Sequence, residues 1–310
     1  PRVDLDVATS LTVSATFFGE VAMQPVAASM FTMGRRDDGD DGSFGRTDEL
    51  PRRDVTLGAY EIGKYEITNT QFAAFLNFLH HPSRDQLRRT DDTRWAGHNE
   101  HIWFFDTQLP RIIFRYALSE DGLRYDSATD SLVSKQLAGL PEGTDHDKGN
   151  HPVTEPTWYG AALYTNWLSE RSGLEPVYDV DTWEADFSKN GYRLPTEAEW
   201  ERAAAWDGAK HWIYAITSDT LAGRERVNYH DGPYTSPPDY DNVFFVNPLG
   251  IAQDAKESYT SPVGWFNGVN VSPNGNVQTL DSPSPVGCYD MSGNVVEWCH
   301  DWYSDTYYGL

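Results

Sequence analysis

Apolar positions recur at helical spacing in three places along the chain, and each place opens on a capping signal. Thr68-Asn69-Thr70-Gln71 forms a Thr-x-x-Gln capping box, whose two side chains satisfy orphan amides in a helix's first turn. Phe72, Phe75, Leu76 and Leu79 then fall on one face, which predicts an amphipathic helix with that stripe turned inward. A second helix is expected after Thr157, with Trp158, Ala161, Ala162, Tyr164 and Leu168 along it and an end near Gly173. A third, shorter helix starts at a second capping box, Thr196-Glu197-Ala198-Glu199, and carries Trp200 and Ala203 inward. Glu197 and Glu199 sit in its first turn, where negative charge suits the helix dipole. Arg193 and Glu197 are candidates for pairing with another buried charge.

Strand signals are fainter. Asp54–Leu57 and Tyr60–Ile67 read as short strands, and Leu11–Phe18 as a β-prone stretch that forms an edge strand or an appendage. Arg35–Arg53 is rich in Asp, Gly and Arg and reads as a surface loop. Residues 80–150 hold Trp95, Trp103 and Phe104 but little periodicity, and residues 206–285 hold turn clusters such as Tyr234-Thr235-Ser236-Pro237-Pro238. Long loops inside a compact domain usually serve binding or hold ions. No internal repeat of the roughly 20–50-residue kind is visible. Few helices, short strands and long loops together predict an irregular α+β domain, not a layered α/β fold.

Composition adds bounds. The 310 residues are 39% hydrophobic and 14% aromatic, enough to bury a core. With 24 basic and 47 acidic residues, the net charge of −23 repels nucleic acid and anionic membrane and favours cations. No apolar run approaches the roughly 18 residues that span a bilayer. The chain opens on Pro1-Arg2-Val3 without an initiator Met, as after a cleaved signal peptide or a truncation, and an extracytoplasmic location is expected. The two cysteines, Cys288 and Cys299, make neither a disulfide framework nor a four-ligand zinc site. They read as small buried hydrophobes, with a disulfide between them left open. His80 and His81 end the first helix, where they suit its negative pole. No P-loop, dinucleotide fingerprint or Gly-x-Ser-x-Gly elbow is present.

The chemistry concentrates near the C-terminal end. Asp290, Gly293, Val295 and Glu297 can offer two carboxylates and two backbone carbonyls from one short turn. Hard oxygen donors around a glycine suit calcium. By spacing alone, a tight turn capped by the two carboxylates is an equal reading.

Five segments follow one another in a telling order. They are Phe31-Thr32-Met33-Gly34, then Tyr60 to Asn69, His151-Pro152-Val153 leading into Thr157-Trp158-Tyr159-Gly160-Ala161, Tyr192 to Glu201, and Tyr289 to Trp298. The series resembles the formylglycine-generating enzyme and sulfatase-modifying-factor family, from about Val21 to the last residue. The resemblance implies an irregular fold related to C-type lectins, with residues 1–20 as an N-terminal extension or edge strand and 21–310 as the family domain. It implies calcium at Asp290, Gly293, Val295 and Glu297. It also implies a second calcium site, matched by Asn228 and Tyr229, with Asp254 as the nearest candidate for its other half. The family's oxidase uses a pair of copper-binding cysteines beyond the Gly-Asn-x-x-Glu-Trp turn, since soft thiolates select Cu(I). The residues up to Leu310 do not carry that pair. The family's iron-dependent relatives use a His-x3-His-x-Glu motif, which is also absent.

Two functions follow as expectations. The first is a calcium-stabilised binding or accessory domain with a protein or peptide partner, a sulfatase being one candidate. The alternative is a formylglycine-generating oxidase whose copper cysteines lie past Leu310.

Overall fold

A computed structural model describes residues 21–35, 46–80, 87–89, 101–104, 108, 110–115, 122–136, 147–220, 223, 225–229, 260–272, 275 and 277–304. Leu11–Phe18, Trp95, Tyr234–Pro238 and Asp254 lie outside those residues.

The three expected helices are present as α1 (Asn69–His80), α2 (Trp158–Arg171) and α3 (Glu197–Ala205). Their caps form as the sequence predicts. Thr68 accepts the Gln71 amide at 3.2 Å while its own amide donates to the Gln71 side chain at 2.8 Å. Thr196 and Glu199 do the same for α3, with bonds of 3.2 and 2.8 Å. Thr157 accepts from the Gly160 amide, and α2 ends just before Gly173, which takes a left-handed φ of 70°.

Between these helices run short antiparallel strands. β1 (Met23–Val26) pairs with β4 (Tyr60–Gly63), and β2 (Ser29–Met33) pairs with β3 (Arg53–Leu57). A three-stranded sheet follows in the order β5 (Leu87–Arg89), β6 (His101–Phe104), β7 (Arg111–Arg115). β8 (Leu123–Asp126) and β9 (Ser131–Ser134) close a hairpin. A 3-10 turn, Thr47–Glu49, lies in the described part of the Arg35–Arg53 loop. The result is a mixed α+β architecture with little regular structure.

One expectation is corrected. The strand expected over Tyr60–Ile67 stops at Gly63. Beyond it the chain turns so that Tyr65 stacks on Tyr289, with ring centroids 5.6 Å apart, and Glu66 reaches the C-terminal turn. Within residues 80–150 the described residues include five short strands, β5 to β9. Strands of three to five residues are too short to print a period of two on the sequence.

The main core lies between α1, α2 and the β5–β7 sheet. Phe75 of α1 meets Tyr164 and Trp167 of α2 at 5.6 and 5.7 Å between ring centroids, and Phe72 touches Phe114 of β7 at 5.6 Å. Close approach of α2 to β7 requires Gly160, since a Cβ there would lie 2.0 Å from the Ile113 carbonyl. On the other flank of α1, Asn77 clamps Leu132 of β9, donating to its carbonyl at 2.8 Å and accepting its amide at 2.7 Å. A second, smaller core joins Val26, Ala203, Ala204, Ala215, Cys288 and Met291. It seats the C-terminal turn on α3 and β1. Among the described residues, no helix is long and apolar enough to cross a membrane.

Candidate functional site

From Gly287 to Ser304 the chain contains no helix or strand, so side chains and backbone conformation must define its path. Three residues of the turn take left-handed angles: Asp290 (φ 64°), Gly293 (φ 90°) and Asn294 (φ 60°). Asp and Asn tolerate this region better than most residues. Position 293 tolerates only glycine, because a Cβ would lie 2.2 Å from the Asn228 carbonyl.

Asn294 is the hub. Its amide nitrogen donates to Glu66 at 2.7 Å, and its side-chain oxygen accepts from the Ser261 amide at 2.8 Å and from Asn228 at 3.1 Å. Its backbone amide donates to the Asn228 carbonyl at 2.8 Å. One side chain thus ties together the chain near residues 66, 228, 261 and 294. Neither Glu66 nor Asn294 was singled out as a site residue. A lone glutamate in Tyr65-Glu66-Ile67 carries no spacing signal, and its partner is 228 residues away in sequence.

Three acidic side chains meet at this turn. Asp290 is buried and accepts from the Gly264 amide at 2.5 Å. Glu297 accepts from the Trp200 indole at 3.2 Å. Glu66 also accepts from the Val295 amide, yet its Oε1 is buried with no hydrogen-bond partner. Desolvation raises the Glu66 carboxyl well above its ordinary range, and the charges of Asp290 and Glu297 raise it further. Desolvation likewise lifts Asp290 and Glu297, with Asp290 adding to the shift of Glu297. Glu297 as a residue keeps solvent contact, so the cost of desolvation falls chiefly on Asp290 and Glu66. Beside the trio opens a cavity of about 220 Å³, walled by apolar chains such as Phe72, Leu168 and Met291, which lowers the local dielectric. Among the described residues, no ion pair relieves any of the three carboxylates.

The four residues predicted to bind the first ion therefore share one coiled turn, with Glu66 brought in from α1's approach. Among the described residues, no three His, Cys, Asp or Glu side chains converge so as to hold a metal unaided. Calcium at this turn would need the backbone carbonyls of Gly293 and Val295 as well as the carboxylates. The second predicted set is not assembled in the same way. Asn228 is spent on Asn294 through both side chain and carbonyl, Tyr229 is half-buried beside it, and Asp254 lies outside the described residues.

Both cysteines are free thiols. Burial pushes each up to about 12, so neither is a thiolate near neutral pH. Arg193 takes Glu199, not Glu197, in a two-pronged pair of 2.6 and 2.7 Å. Desolvation would raise Glu199, but Arg193 and the Thr196 amide outweigh it and hold the carboxyl low. Glu197 instead stays exposed, and its amide donates to Asp301 at 2.6 Å. These contacts fix the frame beneath the turn.

Comparison with known proteins agrees with the motif order. The sulfatase-modifying factor enzyme 1-like domain matches residues 19–309. A formylglycine-generating enzyme of Thermomonospora curvata is 27% identical over 293 residues, covering 91% of this chain and 72% of that protein. The serine/threonine-protein kinase Pkn1 of Chlamydia trachomatis is 24% identical over 290 residues, 93% of this chain but 30% of the kinase. Among solved structures, CarF superposes with a TM-score of 0.47 at 19% identity, over 92% of this chain and 82% of its own. The chain thus spans most of one such relative and under a third of another. With the match running from residue 19 to 309, the chain belongs to the sulfatase-modifying factor enzyme 1-like domain family.

Proposed function

We propose that the chain is a calcium-stabilised binding or accessory domain of this family, with the ion held at the Asp290–Glu297 turn. The observation behind the proposal is the crowding of Glu66, Asp290 and Glu297, each pushed toward the protonated form, with no basic partner among the described residues. A divalent cation would reverse that penalty by turning mutual repulsion into shared attraction. Asp290 and Glu297 would bind directly, with the carbonyls of Gly293 and Val295. Glu66, through its bond to Asn294, would hold the turn in shape and add negative potential. A dependence on calcium suits an extracytoplasmic compartment, where weak extracellular-type sites are saturated. The second site, through Asn228, Tyr229 and Asp254, is a lesser part of the same proposal.

Calorimetric titration tests it. Calcium should bind at the Asp290–Glu297 turn with ordinary oxygen-site affinity, and Asp290→Asn or Glu297→Gln should weaken that binding at least about tenfold. No heat at millimolar calcium would overturn the proposal.

The relatives named formylglycine-generating enzyme favour a second reading, oxidation of a sulfatase cysteine at a copper site. Cys288 and Cys299 do not suit that chemistry, being a buried and a half-buried thiol, both with raised pKa, on either side of the turn. Incubation of residues 1–310 with copper, oxygen and a sulfatase-motif peptide should therefore leave the peptide cysteine intact by mass spectrometry. Loss of its sulfur would favour the oxidase.

A further inference from the structure

Two cavities open away from the acidic turn and meet at one side chain, Trp302. The first, about 470 Å³, lies at the N-terminal end of α2, with Trp158, Tyr159, Glu184 and His300 in its lining. The second, about 530 Å³, has Asp48, Asp301 and Tyr303 beside the same tryptophan. Each volume is in the range of small-molecule sites. Joined at Trp302, they form one groove with an aromatic ring between its two halves.

The rings do not make a cage. Trp302 is 87% exposed and lies nearly parallel to Trp158, at an interplanar angle of 22° with centroids 6.4 Å apart. One face of its indole is thus backed by protein and the other is open. Tyr159 meets Trp183 steeply, at 66°, and the Arg111 guanidinium covers the Tyr159 ring at 4.9 Å. Those residues are wall, and Trp302 is the flat face left for a ligand. Its support is fixed from behind. The Trp158 indole donates to the Cys299 carbonyl at 3.0 Å, and the His300 amide donates to the Pro195 carbonyl at 2.8 Å. Tyr303, 76% exposed, stands next in the chain and donates its hydroxyl to Asp48 at 2.6 Å.

Polar groups flank this shelf on both sides. Glu184 is exposed, and its carboxylate takes no hydrogen bond or ion pair among the described residues. Asp48 and Asp301 add further carboxylates in the second half of the groove. An ionised carboxylate only accepts hydrogen bonds, so the ligand must bring donors. Desolvation lowers the His300 pKa, which leaves a neutral ring near neutral pH, with Nδ1 3.2 Å from the Tyr178 hydroxyl. The net charge of −23 repels anions. A cation held by aromatic rings calls for faces on several sides, and one shelf does not supply them.

We propose that the groove binds a neutral, β-linked oligosaccharide with equatorial hydroxyls, one pyranose ring stacked on Trp302 and a hydroxyl donated to Glu184. Equatorial hydroxyls leave only C–H groups on the ring's faces, and those pack flat on an indole. The hydroxyls then radiate from the ring's edge toward the flanking carboxylates. A β-linked chain is extended, so it runs from one cavity past Trp302 into the other. The groove shares no lining residue with the cavity beside the acidic turn, so its failure would leave the calcium reading standing.

Calorimetric titration in calcium-containing buffer tests this with cellobiose as probe. Sorbitol, a polyol without a ring face, and tetramethylammonium, a cage-type cation, are the controls. Cellobiose should bind saturably and at least about tenfold more tightly than either control, and cellohexaose more tightly still. Trp302→Ala should weaken cellobiose at least about tenfold while leaving the melting curve unchanged, because the side chain is exposed. Trp302→Tyr keeps a ring and should restore most of that loss. Glu184→Ala should weaken binding about tenfold, as loss of one charge-assisted hydrogen bond allows. No saturable binding of either sugar, equal affinity for sorbitol, tighter binding of tetramethylammonium, or wild-type affinity in either alanine variant would overturn the proposal.

Discussion

At the residue scale, single atoms decide the turn. A methyl group at position 293 would meet the Asn228 carbonyl at 2.2 Å on a backbone already at φ 90°. Gly293→Ala should therefore cost about 2 kcal/mol or more in chemical denaturation, from left-handed strain plus displacement of the carbonyl. A loss below a few tenths would mean that the turn relaxes freely. The Arg193–Glu199 pair gives a pH signature. Glu199 is held below its ordinary value of 4.5, so its contribution is complete above that value and fades as pH falls through the folded-state value. Wild type should out-melt Glu199→Gln near neutral pH, and the gap should narrow below pH 4.5. A gap that is constant with pH would show that charge has no part in it. Asp290 and Glu297 could be singled out from the sequence because they sit seven residues apart in one turn. Glu66 and Asn294 escaped because their pairing spans the whole domain, and no local pattern reports a contact at that separation.

Elements were readable in proportion to their length. The three helices announced themselves through capping boxes and through stripes that repeat over two or more turns. In α1 the buried residues Phe72, Phe75, Leu76 and Leu79 match the stripe, and in α3 Ala203 does. In α2, however, the buried apolar residues are Ala162, Leu163, Tyr164 and Trp167, while Trp158, Ala161, Leu168 and, in α3, Trp200 are only half-buried. The cap of α3 is a local contribution, and Thr196→Ala should lower stability by about 1 kcal/mol. Because Glu199 also bonds the Thr196 amide, the loss should be smaller in a Glu199→Gln background, which a double-mutant cycle measures. Full additivity would mean that the box does not act as a unit. Strands β5 to β9 were missed for the opposite reason. Each has at most five residues, and their burial is set by the neighbouring sheet and α1. The chain past Gly63 shows the same limit: a stretch that reads as strand leaves it because Tyr65 and Glu66 are claimed by Tyr289 and Asn294.

At the scale of the whole molecule, regular structure supplies one flank and a coiled, side-chain-braced segment supplies the other. The aromatic core around Phe75 and Trp167 anchors the first. The second rests on buried polar groups, including the Glu66, Asp290 and Glu297 trio, whose repulsion a cation relieves in the function proposed above. That is the central claim, and thermal unfolding with and without calcium tests it most directly. A ligand bound by the native state alone stabilises by about 2.7 kcal/mol at a hundredfold excess over its Kd, so chelation should lower the Tm by roughly 4 °C. Glu297→Gln should lose most of that response. A melting curve that is the same in millimolar calcium and in excess chelator would contradict the account, showing that the turn stands without an ion.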